Sequence, residues 1–249
     1  MTRGLSLISS YTWSKSIDNG AGISTGSDSS GAEQNARDLR SERALSDYDV
    51  SHRWVFSYVY DLPFGRGRHF APSNSVANAI VSGWQVTGIL TLQTGRPFTV
   101  FTNTDQSNTG QNADRPNIIG DWRVPNPGPD RWFNPCTLLA DGKTLRNCLP
   151  GDKPAWQINA PGTFGNAGRN ILRGDGLKNF DLGLYRTFSI TERQSVQFRT
   201  EVFNLPNHPN FFFPNAFLSS SAFGTVSRAA LSSQIGAQRQ IQFALKYIF

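Results

Sequence analysis

The sequence has no long hydrophobic run, although the chain contains 249 residues. No window approaches the roughly 18 consecutive apolar residues of a transmembrane helix, so none is predicted. The first residues, 1–3, lead directly into an alternating pattern without the apolar segment of a signal peptide. We therefore expect that an exported chain of this kind has further sequence upstream of Met1.

Cysteine is scarce, and the arrangements typical of metal or catalytic sites are missing. Cys136 and Cys148 form no CxxC motif and have no neighbouring His. A disulfide in an oxidising compartment is the favoured interpretation, and two free thiols are the alternative. There is no nucleophile elbow, phosphate loop or HExxH motif, and the polar residues at 47–53 lack the spacing of a nucleophile beside its base. The sequence predicts no enzyme, metal site or cofactor.

The charge distribution and the aromatic content bear on two different questions, the presence of a nucleic-acid partner and contact with a membrane. The net charge of +6 is spread over the chain without a basic run of five, so no nucleic-acid partner is predicted. Aromatic residues are abundant, with 18 Phe, 6 Trp and 6 Tyr, whereas Met occurs once. A membrane barrel uses aromatic side chains in girdles at its two interfaces. We expect the aromatic residues of this chain to lie in such girdles.

The clearest pattern lies in the last eleven residues, 239–249. Apolar side chains occupy every second position and would share one face of a strand, namely Ile241, Phe243, Leu245, Tyr247 and Phe249. Eleven residues tilted by about 40° rise roughly 27 Å, close to the apolar band of an outer-membrane barrel. The last strand of a soluble sandwich is the alternative interpretation.

The same alternation recurs along the chain. It predicts six strands, at about 4–16, 50–62, 83–100, 177–189, 192–204 and 238–249. Short helices are predicted at 37–44 and 76–81. The fold class that follows is all-β, an antiparallel up-and-down transmembrane barrel of which six strands form an incomplete wall.

The connections between these strands alternate in length. Long polar connections are predicted at 17–49, 102–176 and 205–237, and short ones at 63–82 and 190–194. The stretch 102–176 is interpreted as mostly loop. Barrels of the outer membrane combine long extracellular loops with short periplasmic turns. The alternation therefore places the long connections outside the cell and the carboxyl terminus in the periplasm.

Charged residues fall mainly on the opposite face from the apolar ones. The residues predicted to face the lumen are Arg53, Asp61, Asp181, Arg199 and Glu201. Charges there face water at little cost, whereas Arg or Lys at the lipid midplane costs about 2–4 kcal/mol. Arg186 falls on the predicted lipid face near the periplasmic end. Either it reaches the headgroups or the predicted register is wrong by one residue.

Several stretches together resemble a known family. They read S-Y-T-W-S-K-S-I-D at 10–18, R-A-L-S-D-Y-D-V-S-H-R at 43–53, Y-D-L-P-F-G at 60–65, G-W-Q-V-T-G-I-L-T-L-Q-T-G-R-P-F-T-V at 83–100, G-T-F-G-N-A-G-R-N at 162–170, F-R-T-E-V-F-N-L-P-N-H-P-N-F at 198–211 and R-Q-I-Q-F-A-L-K-Y-I-F at 239–249. This set is similar to the carboxyl-terminal barrel of Oar-like TonB-dependent receptors, which carry a carboxypeptidase-regulatory-like domain. Residues 1–249 would then be the carboxyl-terminal part of one barrel domain.

The resemblance implies a bacterial outer-membrane location and a barrel of about 22 strands. It also implies an internal plug and energy supplied through TonB, for which the amino-terminal parts lie outside this sequence. Expected partners are outer-membrane lipid, an unknown transported ligand, and the barrel-assembly machinery, which reads the terminal residues 241–249. Two other functions stay open: an outer-membrane adhesin or binding module that uses the long loops, and a soluble β-sandwich enzyme.

Overall fold

The structure is a computed structural model that describes residues 4–20, 33–65, 69–110, 114–226 and 238–249. Its main element is one antiparallel sheet of six long strands. They are β1 (Leu5–Trp13), β2 (His52–Asp61), β3 (Trp84–Gln93), β4 (Leu177–Ser189), β5 (Ser195–Phe203) and β6 (Gln240–Ile248). Each strand pairs with the next in chain order, as the predicted up-and-down topology requires. Within the described ranges neither β1 nor β6 has a second partner, so the sheet is open.

The strands are staggered in one direction across the sheet. The row of paired residues that starts at Leu5 passes through Tyr60 and Val86 and reaches Phe243. β1 begins at this row, whereas β6 continues beyond it as far as Ile248. Closing a sheet into a barrel requires tilted strands and a stagger of this kind. The open sheet therefore has the geometry of a segment of barrel wall.

Short connections join the strands at one end of the sheet. The helix α1 (Ser75–Val81) lies between β2 and β3, and the Asn74 side chain caps it by accepting hydrogen bonds from the backbone of Val76 and Ala77 at 2.8 and 3.2 Å. The predicted helix at 76–81 is thus confirmed. Between β4 and β5 the Ile190 N–H donates to the Gln194 carbonyl at 2.8 Å. In the described ranges no helix is long and apolar enough to cross a membrane.

The three long connections, 14–51, 94–176 and 204–239, meet at the other end, and we call their described residues the loop body. It contains eight two-residue strands in three small sheets. They are Ile17–Asp18 with Ala44–Leu45, Pro97–Phe98 with Leu172–Arg173, and a sheet of Asn117–Ile118, Trp156–Gln157, Thr137–Leu138 and Leu145–Arg146. The described residues of 102–176 are mostly loop, as predicted, but five of the two-residue strands lie within them and tie the stretch together.

Two local predictions also require correction. Residues 37–44 form turns and the start of a short strand rather than a helix, because the Glu42 side chain turns inward to bind Arg115. The strand predicted at 83–100 leaves the sheet after Gln93. There the backbones of Gly95 and Gly174 approach so closely that a Cβ on Gly95 would overlap the Gly174 carbonyl.

The hydrophobic core lies in the loop body and not in the sheet. Its buried members are Phe98, Val100, Phe133, Ala155, Trp156, Ala167, Leu172, Ala216, Leu218 and Phe223. The Phe133 ring centre lies 4.9 Å from that of Phe223 and 6.0 Å from that of Trp156, both edge-on. Such contacts add to the stabilisation from burial. Aromatic girdles therefore account for only part of the aromatic content.

Candidate membrane-facing and lumen-facing surfaces

Pairing in register brings alternate residues of all six strands onto one continuous apolar face. This face includes Leu5, Leu7, Tyr11, Trp54, Phe56, Tyr58, Val86, Leu90, Phe180, Leu182, Leu184, Phe198, Val202, Ile241, Phe243 and Leu245. The Phe243 and Leu245 side chains are 68% and 75% exposed. An exposed apolar surface of this extent marks contact with a membrane or a partner.

The terminal residues of the predicted assembly signal occupy this face at the sheet edge. Ile241, Phe243, Leu245 and Tyr247 alternate along β6. Phe249 follows the end of the strand, is 92% exposed, and stacks on Tyr247 with ring centres 6.0 Å apart. No protein contact in the described chain buries its ring. Recognition of these residues by the barrel-assembly machinery stays a prediction.

The five residues predicted to face the lumen share the opposite face of the sheet. The Gln85 side chain donates to the Asp61 carboxylate at 2.8 Å, which links β2 to β3. Asp181 accepts hydrogen bonds from the Asn179 side chain at 2.9 Å and from the Asn204 backbone at 2.8 Å. Arg53 lies opposite Gln93, next to the loop body. The bonds of the polar face therefore lie between strands at Asp61, and within β4 and to the connection after β5 at Asp181.

Tyr185 is the centre of this polar face, and sequence reasoning missed it. Its hydroxyl donates to Glu201 at 2.9 Å, and the Arg199 guanidinium lies 5.7 Å from its ring centre. Arg199 also donates from Nε to Gln197 at 2.7 Å. Gly183 leaves room for the ring, since a Cβ there would come within 2.7 Å of the hydroxyl. The alternation of Tyr185 with Asp181 and Gly183 was the available signal.

Arg186 lies on the apolar face, opposite Trp84 on one side and Phe198 on the other. The predicted register is therefore correct, and the arginine belongs where the sequence placed it. Its guanidinium lies 4.2 Å from the Phe188 ring centre and 5.3 Å from that of Trp84. Aromatic rings stabilise a cation in this position. Near an interface the cost of an arginine on the lipid face falls to about 0–1 kcal/mol.

Buried ion pairs join the segments of the loop body. Arg115 binds Glu42 with both terminal nitrogens, at 2.6 and 3.0 Å, and both side chains are buried. Arg169 pairs with Asp18 and, at 3.5 Å, with Asp47. The two stretches 43–53 and 162–170, which the family resemblance singled out separately, are thus in direct contact. The acidic residues at 47–53 serve as structural partners for arginines.

Asp49 joins the 14–51 and 94–176 connections of the loop body close to the start of β2. It accepts a hydrogen bond from the Ser16 backbone at 2.7 Å and one from Arg173 at 2.6 Å. Burial favours the neutral acid, but the Ser16 hydrogen bond and the Arg173 cation outweigh it and hold the pKa of Asp49 below its ordinary value. The carboxylate therefore stays ionised inside the folded loop body.

The two cysteines are joined by a disulfide, with Cα atoms 4.2 Å apart. Cys136 is fully buried, and the segment between the cysteines turns at Asp141, which accepts hydrogen bonds from the backbones of Lys143 and Thr144. The bond therefore clips the turn to the core of the loop body. In the part of the chain that the structure describes, no three His, Cys, Asp or Glu residues come together to hold a metal ion.

Comparison with known proteins agrees with this geometry. The model of the family described as "Outer membrane beta barrel domain" matches residues 1–242. The match includes β1–β5, the described loop body and the first residues of β6. Neither the curated proteins nor the solved structures contained a match to this chain.

Proposed function

Because this chain belongs to the outer membrane beta barrel domain family, and is therefore a bacterial outer-membrane protein, we propose that it forms part of the wall of a TonB-dependent receptor. Its role there is to contribute to substrate uptake, and no catalytic activity is assigned to it. The outer-membrane lipid contacts the apolar face, and the transported ligand passes along the polar one. The barrel-assembly machinery recognises the terminal residues, and TonB acts through amino-terminal parts of the receptor.

The observation that carries this proposal is the polar face, which continues across all six strands of an open sheet. Small barrels fill their interior with side chains, whereas large ones enclose water or a plug. Transmembrane barrels begin at about eight strands, so a wall of six needs further strands at its open edges. Charged residues suit a wide polar lumen, and here Arg199 is bonded to Gln197 on its own strand while Glu201 is bonded to Tyr185 on the neighbouring strand. The sequence resemblance supports the receptor class.

Genetic epistasis tests the proposal in a bacterium that encodes the complete protein. Strains lacking this gene, lacking TonB, or lacking both are grown on a panel of single nutrient sources. We expect the gene deletion to reduce growth on a subset of the sources affected by loss of TonB, and the double deletion to add nothing. Complementation with the intact gene is the control.

Two results would contradict the proposal. A growth defect that adds to the loss of TonB would place uptake outside the TonB system. Normal growth on every source, combined with loss of attachment to surfaces, would favour an adhesin that uses the loop body.

A further inference from the structure

The helix α1 packs against the apolar face of the wall. The Trp84 indole donates to the Ile80 carbonyl at 2.9 Å, and the Arg186 guanidinium donates to the Ala79 carbonyl. Both side chains project from the face that contacts lipid. They donate to carbonyls in the last turn of the helix. These carbonyls have no following turn whose N–H groups could donate to them. The helix therefore lies on the lipid side of the wall, at the end with the short connections.

The exposed side of α1 is apolar. Val76 and Ile80 are one helical turn apart and are 66% and 60% exposed, so they form one edge. Phe188 near the end of β4 contacts Arg186 and is also exposed, as is Ile190 in the turn that follows. This edge continues the apolar face of the sheet rather than interrupting it. A short helix with an apolar edge at this level suits the boundary between headgroups and acyl chains.

Arg186 supplies a positive charge at the same place. Its Nε is buried without a hydrogen-bond partner, and among the described residues the Ala79 carbonyl is the single acceptor for the four N–H donors of the two terminal nitrogens. The Phe188 and Trp84 rings lie against the guanidinium, with their centres 4.2 and 5.3 Å from its carbon. A planar guanidinium of this kind binds phosphate oxygens strongly. The charge is therefore presented to an anion on the membrane side.

We propose that α1, Trp84 and Arg186 form a binding site for a phospholipid, with Arg186 on the headgroup phosphate and Val76 and Ile80 against the upper acyl chains. The leaflet is the periplasmic one, which rests on the proposed function and on the orientation predicted from the alternation of long and short connections. Continuity with the membrane-facing surface and the unmatched positive charge favour a lipid over a protein partner. The site would fix the height of the wall in the bilayer.

The phosphate contact is measured on the complete protein with isotope-labelled arginine, reconstituted in bilayers of phosphatidylethanolamine and phosphatidylglycerol. Solid-state NMR detects the dephasing of guanidinium signals by lipid phosphorus. We expect one dephased arginine signal that disappears in Arg186→Gln and persists in the control Arg193→Gln, which alters an exposed arginine at the same end. An unchanged signal in Arg186→Gln would overturn the site, and so would the absence of dephasing in the unaltered protein, whether or not the variant folds.

The position of the helix is measured with a spin label on Ile80→Cys. A label on Glu192→Cys, in the turn at the same end, is the matched control. We expect oxygen to relax the label at 80 severalfold more than a water-soluble nickel chelate does, with the reverse order at 192. Equal behaviour at both positions would place the helix in water. Shielding of position 80 from both reagents would indicate a protein partner and contradict the proposal. Either result leaves the outcome of the TonB epistasis experiment unchanged. The lipid-site proposal and the receptor proposal can therefore fail independently.

Discussion

Apart from glycine, no apolar residue of the six strands is fully buried. Every fully buried aromatic ring of the described residues lies in the loop body. The sheet is held by its backbone ladder and presents its apolar residues outward. The loop body buries an aromatic core and the ion pairs of Arg115 with Glu42 and of Arg169 with Asp47, as a small soluble domain does. The two regions are therefore adapted to different solvents. Lipid covers the side chains of the wall, and the loop body must exclude water by its own packing.

The largest expected effect separates these two regions. We expect Trp156→Ala to destabilise the loop body by about 3–5 kcal/mol, because it removes the largest fully buried ring and leaves a cavity. Among the described residues, none of the hydrophobic side chains that form that core or pack against it belongs to the six strands, so the wall should still insert. Proteolysis of intact cells measures the resistance of the loop body to cleavage, and outer-membrane fractionation measures the amount of protein whose wall has inserted. Tyr48→Ala, which truncates a half-exposed aromatic of the loop body, is the control. Loss of insertion in Trp156→Ala would mean that the two regions fold as one unit.

A second prediction concerns the wall alone. Phe243 and Ala244 lie near the middle of β6 and point to opposite faces. We expect Phe243→Arg to destabilise the protein by about 2–4 kcal/mol, because the middle of the strand lies near the lipid midplane. Ala244→Arg should have a much smaller effect, because the lumen is polar. Denaturant-induced unfolding in bilayers gives the free energy of unfolding of each variant. Equal losses in the two variants would contradict the assignment of faces.

The sheet was predictable because its signal is local. Alternation within β6, from Ile241 to Tyr247, needs no knowledge of distant residues. It located all six strands and placed Arg186 on its observed face. Pairing then follows from chain order, since consecutive strands of a meander lie side by side.

The loop body was not predictable because its contacts are distant in sequence. Glu42 binds Arg115, which is 73 residues away, and Asp47 reaches Arg169 across 122 residues. The charged run around Glu42 has helical composition, yet the buried pairing overrides that propensity. Strands of two residues also carry no periodicity. Tyr185 was missed because a single aromatic among polar residues resembles any other strand position.

A third prediction concerns the disulfide. Replacing both Cys136 and Cys148 with Ser should destabilise the segment between them by about 2–3 kcal/mol, chiefly by freeing its open conformations. We expect faster tryptic cleavage at Lys143 and Arg146, with no change in the insertion of the wall. Mass spectrometry of the fragments locates the cuts. An unchanged cleavage rate would show that the Asp141 turn holds the segment without the covalent bond.

The smallest expected effect is the pH dependence of the loop body. The folded pKa of Asp49 lies below its unfolded value of about 3.9. Its contribution is therefore complete above the unfolded pKa and is lost as pH falls through the folded pKa. We expect protease resistance of the loop body to fall below about pH 4, and this dependence to weaken in Asp49→Asn. Asp121→Asn alters a carboxylate that is 70% exposed and should change nothing. An unaltered pH profile in Asp49→Asn would contradict this role.

A cysteine scan along β6 tests most directly that one face of the wall contacts lipid and the other water. The two native cysteines are joined to each other, so a new single cysteine is the only free thiol of the described chain. Each position from 241 to 247 is changed in turn in the complete protein and exposed in the outer membrane to a charged thiol reagent. We expect rapid labelling at 242, 244 and 246 and little at 241, 243, 245 and 247, since adjacent strand residues face opposite sides. Uniform labelling, or labelling with the opposite phase, would contradict the assignment of a lipid face and a lumen face.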